Sequence, residues 1–174
     1  TLVRTHIIGN QATEGPAGGI QNAGANARLD MRDCLIADNI AATQGGGLLN
    51  TQGGANLSTT VTAVNVTFRG NRAQQGAGVF NMGTLRLDES SIFENNATRV
   101  DVFSAAGVYN SGDATLANGS RVYGNVASNG TGISVYNGGS FAFVLPLPLG
   151  YFMNGVFLCE EEMCEGVGGG MPEP

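Results

Sequence analysis

An apolar residue, two spacers and an asparagine form a grouping that returns five times along the chain. It reads Ile7-Ile-Gly-Asn10, Ile36-Ala-Asp-Asn39, Phe68-Arg-Gly-Asn71, Phe93-Glu-Asn-Asn96 and Val122-Tyr-Gly-Asn125. A second grouping alternates with it: a small-residue run, a β-branched or aliphatic residue, one spacer and an asparagine. It reads GGIQN ending at Asn22, GGLLN at Asn50, AGVFN at Asn81, AGVYN at Asn110 and, more loosely, SVYN at Asn137. Successive asparagines of this second grouping lie 28, 31, 29 and 27 residues apart. A near-constant interval of this size marks a repeat architecture in which each copy stacks on the next.

Between the groupings run short alternating stretches, Leu29-Asp-Met31, Leu85-Arg-Leu87 and, more weakly, Ala114-Thr-Leu116. Period-two patterning puts Leu and Met on one face and Asp, Arg and Thr on the other, which is strand chemistry. No stretch sustains a 3.6-residue period for three turns. Each repeat is therefore expected to hold two or three short strands. A coil that winds round itself supplies the return path parallel strands need. The predicted fold is all-β, a right-handed single-stranded parallel β-helix of about five rungs, each ~4.8 Å from the next.

In such a coil the apolar residue of each grouping points inward and stacks on its counterparts. The asparagine sits at a corner, its amide donating to the equivalent asparagine of the next rung and accepting from the previous one. A ladder of this kind satisfies buried amides that would otherwise cost ~1–3 kcal/mol each. The predicted ladder residues are Asn10, Asn39, Asn71, Asn96 and Asn125 in one column and Asn22, Asn50, Asn81, Asn110 and Asn137 in the other. In the fourth repeat Asn95 fits an Asn-x-Ala form and Asn96 the Phe-x-x-Asn form. Asn96 is preferred because Phe93 is taken as the inward residue that sets the phase. The Gly and Ala run before the second asparagine permits a tight corner where a Cβ would clash.

Composition agrees. The chain has 28 Gly, 17 Asn, 42% hydrophobic and 13% charged residues, unlike a disordered tail or a helical bundle. Of the net charge of −6, five negative charges fall in the last fifteen residues, and the rest sums to −1. All eight cations are Arg and stand singly. Nucleic acid binding needs clustered positive charge, so that partner is not expected. No run of ~20 apolar residues is present to span a membrane as a helix. The absence of an initiator Met and of a signal sequence suggests an excised piece of a longer protein.

GGGLLN, GAGVFN and AAGVYN, together with FRGN and FENN, resemble the Gly-Gly-x-aliphatic and Phe-x-x-Asn repeats of the polymorphic outer membrane protein type. The resemblance covers about residues 7–137. It implies the β-helix of surface adhesins and autotransporter passengers, and similar repeats occur in large extracellular proteins of algae and protists. The fifth repeat, GTGISVYNGG, departs from the pattern by two extra residues, and an autotransporter barrel is lacking.

After Gly139 both groupings stop. The expected division is a β-helix over 1–144 and a C-terminal cap with an acidic, Cys-containing linker over 145–174. Phe141, Phe143, Leu145, Tyr151 and Phe152 are expected to shield the last β edge.

Few residues offer chemistry. Cys34 falls at an inward position and reads as a buried free thiol. Cys159 and Cys164 could close a small disulfide loop in an oxidising compartment. His6 is the only histidine, which argues against a triad or a His-based metal site. No cofactor is expected. Polysaccharide-active β-helix enzymes need paired carboxylates. The candidates are Asp30, Asp33, Asp38, Asp88, Glu89, Glu94, Asp101 and Asp113. Asp33 and Glu89 occupy similar places two rungs apart, with Asn65 between them, and read as solvated surface charge. The threonines of LSTTVTAVNVTF would bind ice only if repeated on every rung. Five Asn-x-Ser/Thr sequons occur, and N-linked glycans are expected among Asn56, Asn65, Asn118 and Asn129. Asn96, taken as a buried ladder residue, is expected to be spared. The functional expectation is a non-enzymatic structural or adhesive module, extracellular or at the cell surface, in a larger protein or filament such as a surface fibre or flagellar hair. Its partners would be protein neighbours in that assembly. The alternative is a polysaccharide-active enzyme or carbohydrate-binding module.

Overall fold

The computed structural model describes residues 1–52, 54, 58–99, 105–127 and 133–144, and the backbone of Tyr151–Met153 and Val156–Leu158. Among the described residues every regular element is a β-strand. The chain coils through successive turns, and each turn gives one strand to each of four parallel sheets. The first face holds Leu2–Val3, Arg28–Arg32, Thr60–Val64, Thr84–Asp88, Asp113–Ala117 and Ser140–Phe143. The second holds His6–Ile8, Leu35–Ala37, Thr67–Arg69, Ser91–Phe93 and Arg121–Tyr123, and the third Gln11–Ala12, Ile40–Ala41, Arg72–Ala73, Asn96–Ala97 and Val126–Ala127. The fourth holds Ile20–Asn22, Leu48–Asn50, Val79–Asn81, Ala105–Asn110 and Ile133–Asn137. A turn thus has four strands where the sequence suggests two or three. The additional one is the two-residue strand of the third face, too short to display a period.

Register explains which residues repeat. On the first face Leu29 and Met31 pair with Val61 and Ala63, which pair in turn with Leu85 and Leu87. Those stack on Ala114 and Leu116, and the column ends at Phe141 and Phe143. The second face turns inward the single column Ile7, Ile36, Phe68, Ile92 and Val122. Val79 stacks between Leu48 and Val108 on the fourth face. Together these columns form one continuous apolar core. Burying an aliphatic or aromatic side chain of this size contributes ~1.5–3 kcal/mol. The third face faces inward with alanine throughout: Ala12, Ala41, Ala73, Ala97 and Ala127.

Two corners use left-handed backbone in all five turns. Between the first and second faces Arg4, Asp33, Asn65, Glu89 and Asn118 have φ of 47, 54, 51, 50 and 48°. Between the second and third faces Gly9, Asp38, Gly70, Glu94 and Gly124 have φ of 70, 55, 65, 55 and 58°. Each residue of the second series directly precedes a ladder asparagine, and the left-handed φ favours the Gly and Asp found in that spacer. It also corrects the fourth repeat: Glu94 takes the left-handed corner, so the ladder residue is Asn95, not Asn96. Ile92 is fully buried between Phe68 and Val122, whereas Phe93 turns outward and stacks on Tyr123 with ring centroids 5.1 Å apart. Asn96 begins the third-face strand, in register with Arg72 and Val126.

The small-residue run enters the fourth face against the next turn. A Cβ built on Gly78 would lie 2.6 Å from the Gly107 carbonyl oxygen, 2.7 Å from Ile92 and 3.1 Å from Asn95 Nδ2. Gly19, Gly47 and Gly107 meet the next turn's backbone and ladder amide in the same way. The pairing Ala105↔Ile133 shifts register before Val108↔Val135, so the irregularity of the fifth repeat falls on this face.

Val144 still donates its N–H to Leu116 O at 2.8 Å. Phe141 and Phe143 are thus residues of a sixth first-face strand rather than of a separate cap. Tyr151–Met153 and Val156–Leu158 pair as an antiparallel hairpin, with the first of these strands beside Ile133–Asn137. Leu145 lies outside the described residues.

Substituting Gly78→Ala forces a methyl onto fixed backbone and is expected to destabilise by ~1–3 kcal/mol in chemical denaturation. Gly15, which has nothing within 4 Å of its would-be Cβ, should accept alanine within ~0.5 kcal/mol.

Candidate functional site

Two columns of asparagine amides run the length of the coil, buried except at the exposed Asn10 and the half-buried Asn137. In the first, Nδ2 of Asn10 donates to Asn39 Oδ1 at 3.0 Å, Asn39 to Asn71 at 3.0 Å, Asn71 to Asn95 at 3.0 Å and Asn95 to Asn125 at 2.9 Å. Each accepting Oδ1 also takes the donor residue's own backbone N–H, at 2.9–3.0 Å. The second Nδ2 proton reaches back one turn, from Asn39 to Ile7 O, Asn71 to Ile36 O, Asn95 to Phe68 O and Asn125 to Ile92 O. An interior asparagine of this column therefore bonds to the turn before it and the turn after it. Asn39, Asn71 and Asn95 are fully buried with both donors and the acceptor used.

The second column repeats the logic at the end of the fourth face. Asn22, Asn50, Asn81 and Asn110 donate in sequence to Asn50, Asn81, Asn110 and Asn137, at 2.8, 2.7, 2.7 and 2.8 Å. Their remaining donors meet first-face carbonyls such as Thr84 O and Asp113 O. Both ladders run one way, each turn donating to the next. A third, partial column lies after the first corner: Val66 N–H donates to Ser90 Oγ and Ser90 N–H to Ser120 Oγ, both at 3.0 Å. Cys34, one turn earlier in that column, is buried and free, its thiol 3.1 Å from Arg32 O.

The outer surface distributes the remaining candidates. Asp33 and Glu89 do share a column with Asn65 between them, because all three occupy the left-handed first corner. Asp38 and Glu94 occupy the second. Asp30 and Asp88 pair with Arg28 and Arg86 on their own strands, each at 3.1 Å. Such solvent-facing pairs contribute little to stability. Asp113 is exposed at a strand start, and Asp101 lies outside the described residues. Among the described residues no three of His, Cys, Asp and Glu come together in a group able to hold a metal. His6 is exposed in the first turn. Thr62 stands in register between Asp30 and Arg86, and Thr60 between Arg28 and Thr84, so threonine recurs in at most two adjacent turns.

Of the sequons, Asn65 and Asn118 are exposed at the first corner, their amides donating to Asp33 at 2.7 Å and Asp88 at 2.5 Å. Asn96, which is not a ladder residue, is half-buried, and its Oδ1 is buried without a partner. The reason for expecting it to be spared therefore falls away. Asn56, Asn129, Cys159 and Cys164 lie outside the described residues.

Sequence reasoning missed Asn95, the alanine column and an aromatic stack on the fourth face, in which Phe80 is buried and Tyr109 and Tyr136 are half-buried. In that stack Phe80, Tyr109 and Tyr136 follow one another with ring centroids 4.5 and 4.7 Å apart. The signal for the first two was present: Asn-x-Ala recurs in all five turns, at Asn10, Asn39, Asn71, Asn95 and Asn125.

Asn95→Ala leaves the Phe68 carbonyl and both the backbone and side-chain amides of Asn71 without this partner, while Asn125 Oδ1 keeps only the backbone N–H of residue 95. It should destabilise by at least ~2 kcal/mol, from several buried groups at ~1–3 kcal/mol each. Asn96→Ala should change stability by under ~1 kcal/mol. Urea unfolding of the two variants distinguishes the registers. Comparison with protein-family models, with curated proteins and with solved structures returned no match for this chain.

Proposed function

We propose that this chain is a rigid structural or adhesive module, displayed outside the cell as part of a larger surface protein or filament such as a surface fibre or flagellar hair. The observation that carries the reading is the division of labour between inside and outside. Interior positions are held by hydrogen bonds and packing that repeat turn after turn. The carboxylates that might have formed a catalytic pair instead serve left-handed corners, at Asp33, Asp38, Glu89 and Glu94, or pair with a neighbouring arginine, at Asp30 and Asp88. A hydrolase acting on a glycosidic bond needs two carboxyl groups held ~5–10 Å apart across a substrate. Corner residues whose backbone conformation is itself the requirement are poor material for that task.

A scaffold of this kind gains stiffness from its continuous ladders and presents its variable outer residues to neighbours. Glycans fit the same picture. Asn65 and Asn118 project from one edge two turns apart, ~10 Å by the rung spacing, where sugars would shield a single stripe of the coil. Asn96, on another face, is half-buried with its Oδ1 buried and does not belong to that stripe.

Two assays test the reading. Secreted from a glycosylating eukaryotic host, the chain should lose mass on N-glycosidase treatment, and Asn65→Gln and Asn118→Gln should each remove one glycan. An unchanged mass would reject the glycoprotein part. Incubation with pectin, alginate or similar polymers should release no product. Turnover abolished by a Glu89→Gln or Asp33→Asn substitution would replace the scaffold with the polysaccharide-active alternative.

A further inference from the structure

The polarity of the ladders makes the two ends of the coil unlike. Oδ1 of every ladder asparagine from the second turn onward accepts from the turn before it. In the first turn, Asn10 and Asn22 donate onward, to Asn39 and Asn50, but no Oδ1 bond to either residue is formed among the described residues. Asn22 is only 7% exposed, and its Oδ1, like that of Asn10, faces the end of the coil as an acceptor that no described turn of this chain fills. Around it Leu2, Ile7 and Ile20 pack on the core while remaining half-buried. Leu2–Val3, His6–Ile8, Gln11–Ala12 and Ile20–Asn22 are each the outermost strand of their sheet. Outermost strands present unpaired backbone groups that can accept another strand.

The opposite end differs. There Asn125 and Asn137 make the own-turn bonds, to Tyr123 O and Gly139 O at 2.9 and 3.1 Å, that Asn95 and Asn110 make beside their ladder bonds. Beyond them the first face continues into Ser140–Phe143, and the hairpin backbone lies beside the fourth face.

We propose that the end formed by Leu2–Asn22 is a docking surface for one further solenoid turn carrying both asparagine groupings in phase. That turn sets an amide donor over Asn10 Oδ1 and another over Asn22 Oδ1, and covers Leu2, Ile7 and Ile20 with its inward residues. A second copy meeting through this same end would set acceptor against acceptor, and the other end of a copy carries a further first-face strand and the hairpin backbone beside its fourth face. The occupant is therefore a segment of the same repeat chemistry. This inference deepens the scaffold reading and rests on it, because it names what such a module joins.

The test adds a turn to the intact chain. A second copy of residues 62–85 is fused directly ahead of Thr1. The pairing of Leu2 with Met31, Met31 with Ala63 and Ala63 with Leu87 places Thr1 in the phase of Arg86, so the copy ends in register. The copied Asn71 then lies over Asn10 and the copied Asn81 over Asn22. The fused chain should melt at least ~2–4 °C above the original, and the copy should resist protease. Asn71→Asp and Asn81→Asp made in the copy alone place oxygen against oxygen and should abolish the gain. A fused copy that is digested away with no gain in Tm overturns the proposal. So does an Asp variant as stable as the Asn form, which would mean a merely hydrophobic cover. Sedimentation of the unfused chain as a dimer that the fusion abolishes would give this end to a second copy and overturn the assigned occupant. None of these outcomes touches the polymer-turnover and glycan assays, so failure of the scaffold reading would be seen separately.

Discussion

A primary amide buried in a protein interior must find two acceptors and at least one donor, or it costs more than the packing around it returns. In a coil of parallel strands the partner that fits in every turn is another amide at the same place one turn away. That constraint fixes the rest of the structure. An asparagine at the wrong phase would break the ladder above and below it. Insertions are therefore pushed into the connections between strands, and the groupings on either side keep their register. The first column is the stricter of the two, since each side chain there also holds backbone on both sides. Asn71, for example, is bonded to Ile36 O, Asn95 Oδ1 and the Asn39 amides.

The neighbouring columns follow from the same geometry. Where the third and fourth faces converge, the glycines at Gly19, Gly47, Gly78 and Gly107 lie against the amides of Asn39, Asn71, Asn95 and Asn125 and against the next turn's carbonyls. Only alanine fits the inward position beside them, which gives small clusters such as Ala97, Ala106 and Ala127. The bulkier core sits toward the first and second faces, where Leu85, Leu87, Phe68 and Ile92 are fully buried. The left-handed corners leave their side chains outside the coil, so Gly, Asn, Asp, Glu and Arg all occur there. Interior repetition and exterior variety are two results of one stacking rule.

Much of this was legible in the residues. The two groupings and their interval give a parallel solenoid, and nine of the ten ladder asparagines fall where the sequence places them. The tenth fails for a local reason. Ile92 and Phe93 are adjacent and both apolar, and the larger ring looks like the inward one, but its partner is the outward Tyr123. Hydrophobicity cannot separate two neighbours when an aromatic column on the surface rewards the second. The alanine two residues after Asn95 and the corner at Glu94 carry the decisive information. Alanine is uninformative until its neighbours in other turns are known, and Glu is an unusual choice for positive φ. The fourth strand of each turn escaped because two residues have no period. The outer surface is legible only in part, since an exposed carboxylate in a corner and one in a catalytic pair have the same spelling until distances are known.

Side-chain amide hydrogen exchange, followed by NMR on uniformly 15N-labelled protein, tests the ladders most directly. The Nδ2 protons of Asn39, Asn71, Asn95, Asn50, Asn81 and Asn110 should exchange only through global unfolding. Those of Asn65 and Asn118 should exchange at near-solvent rates. Fast exchange at Asn71 and Asn81 under native conditions would contradict the account.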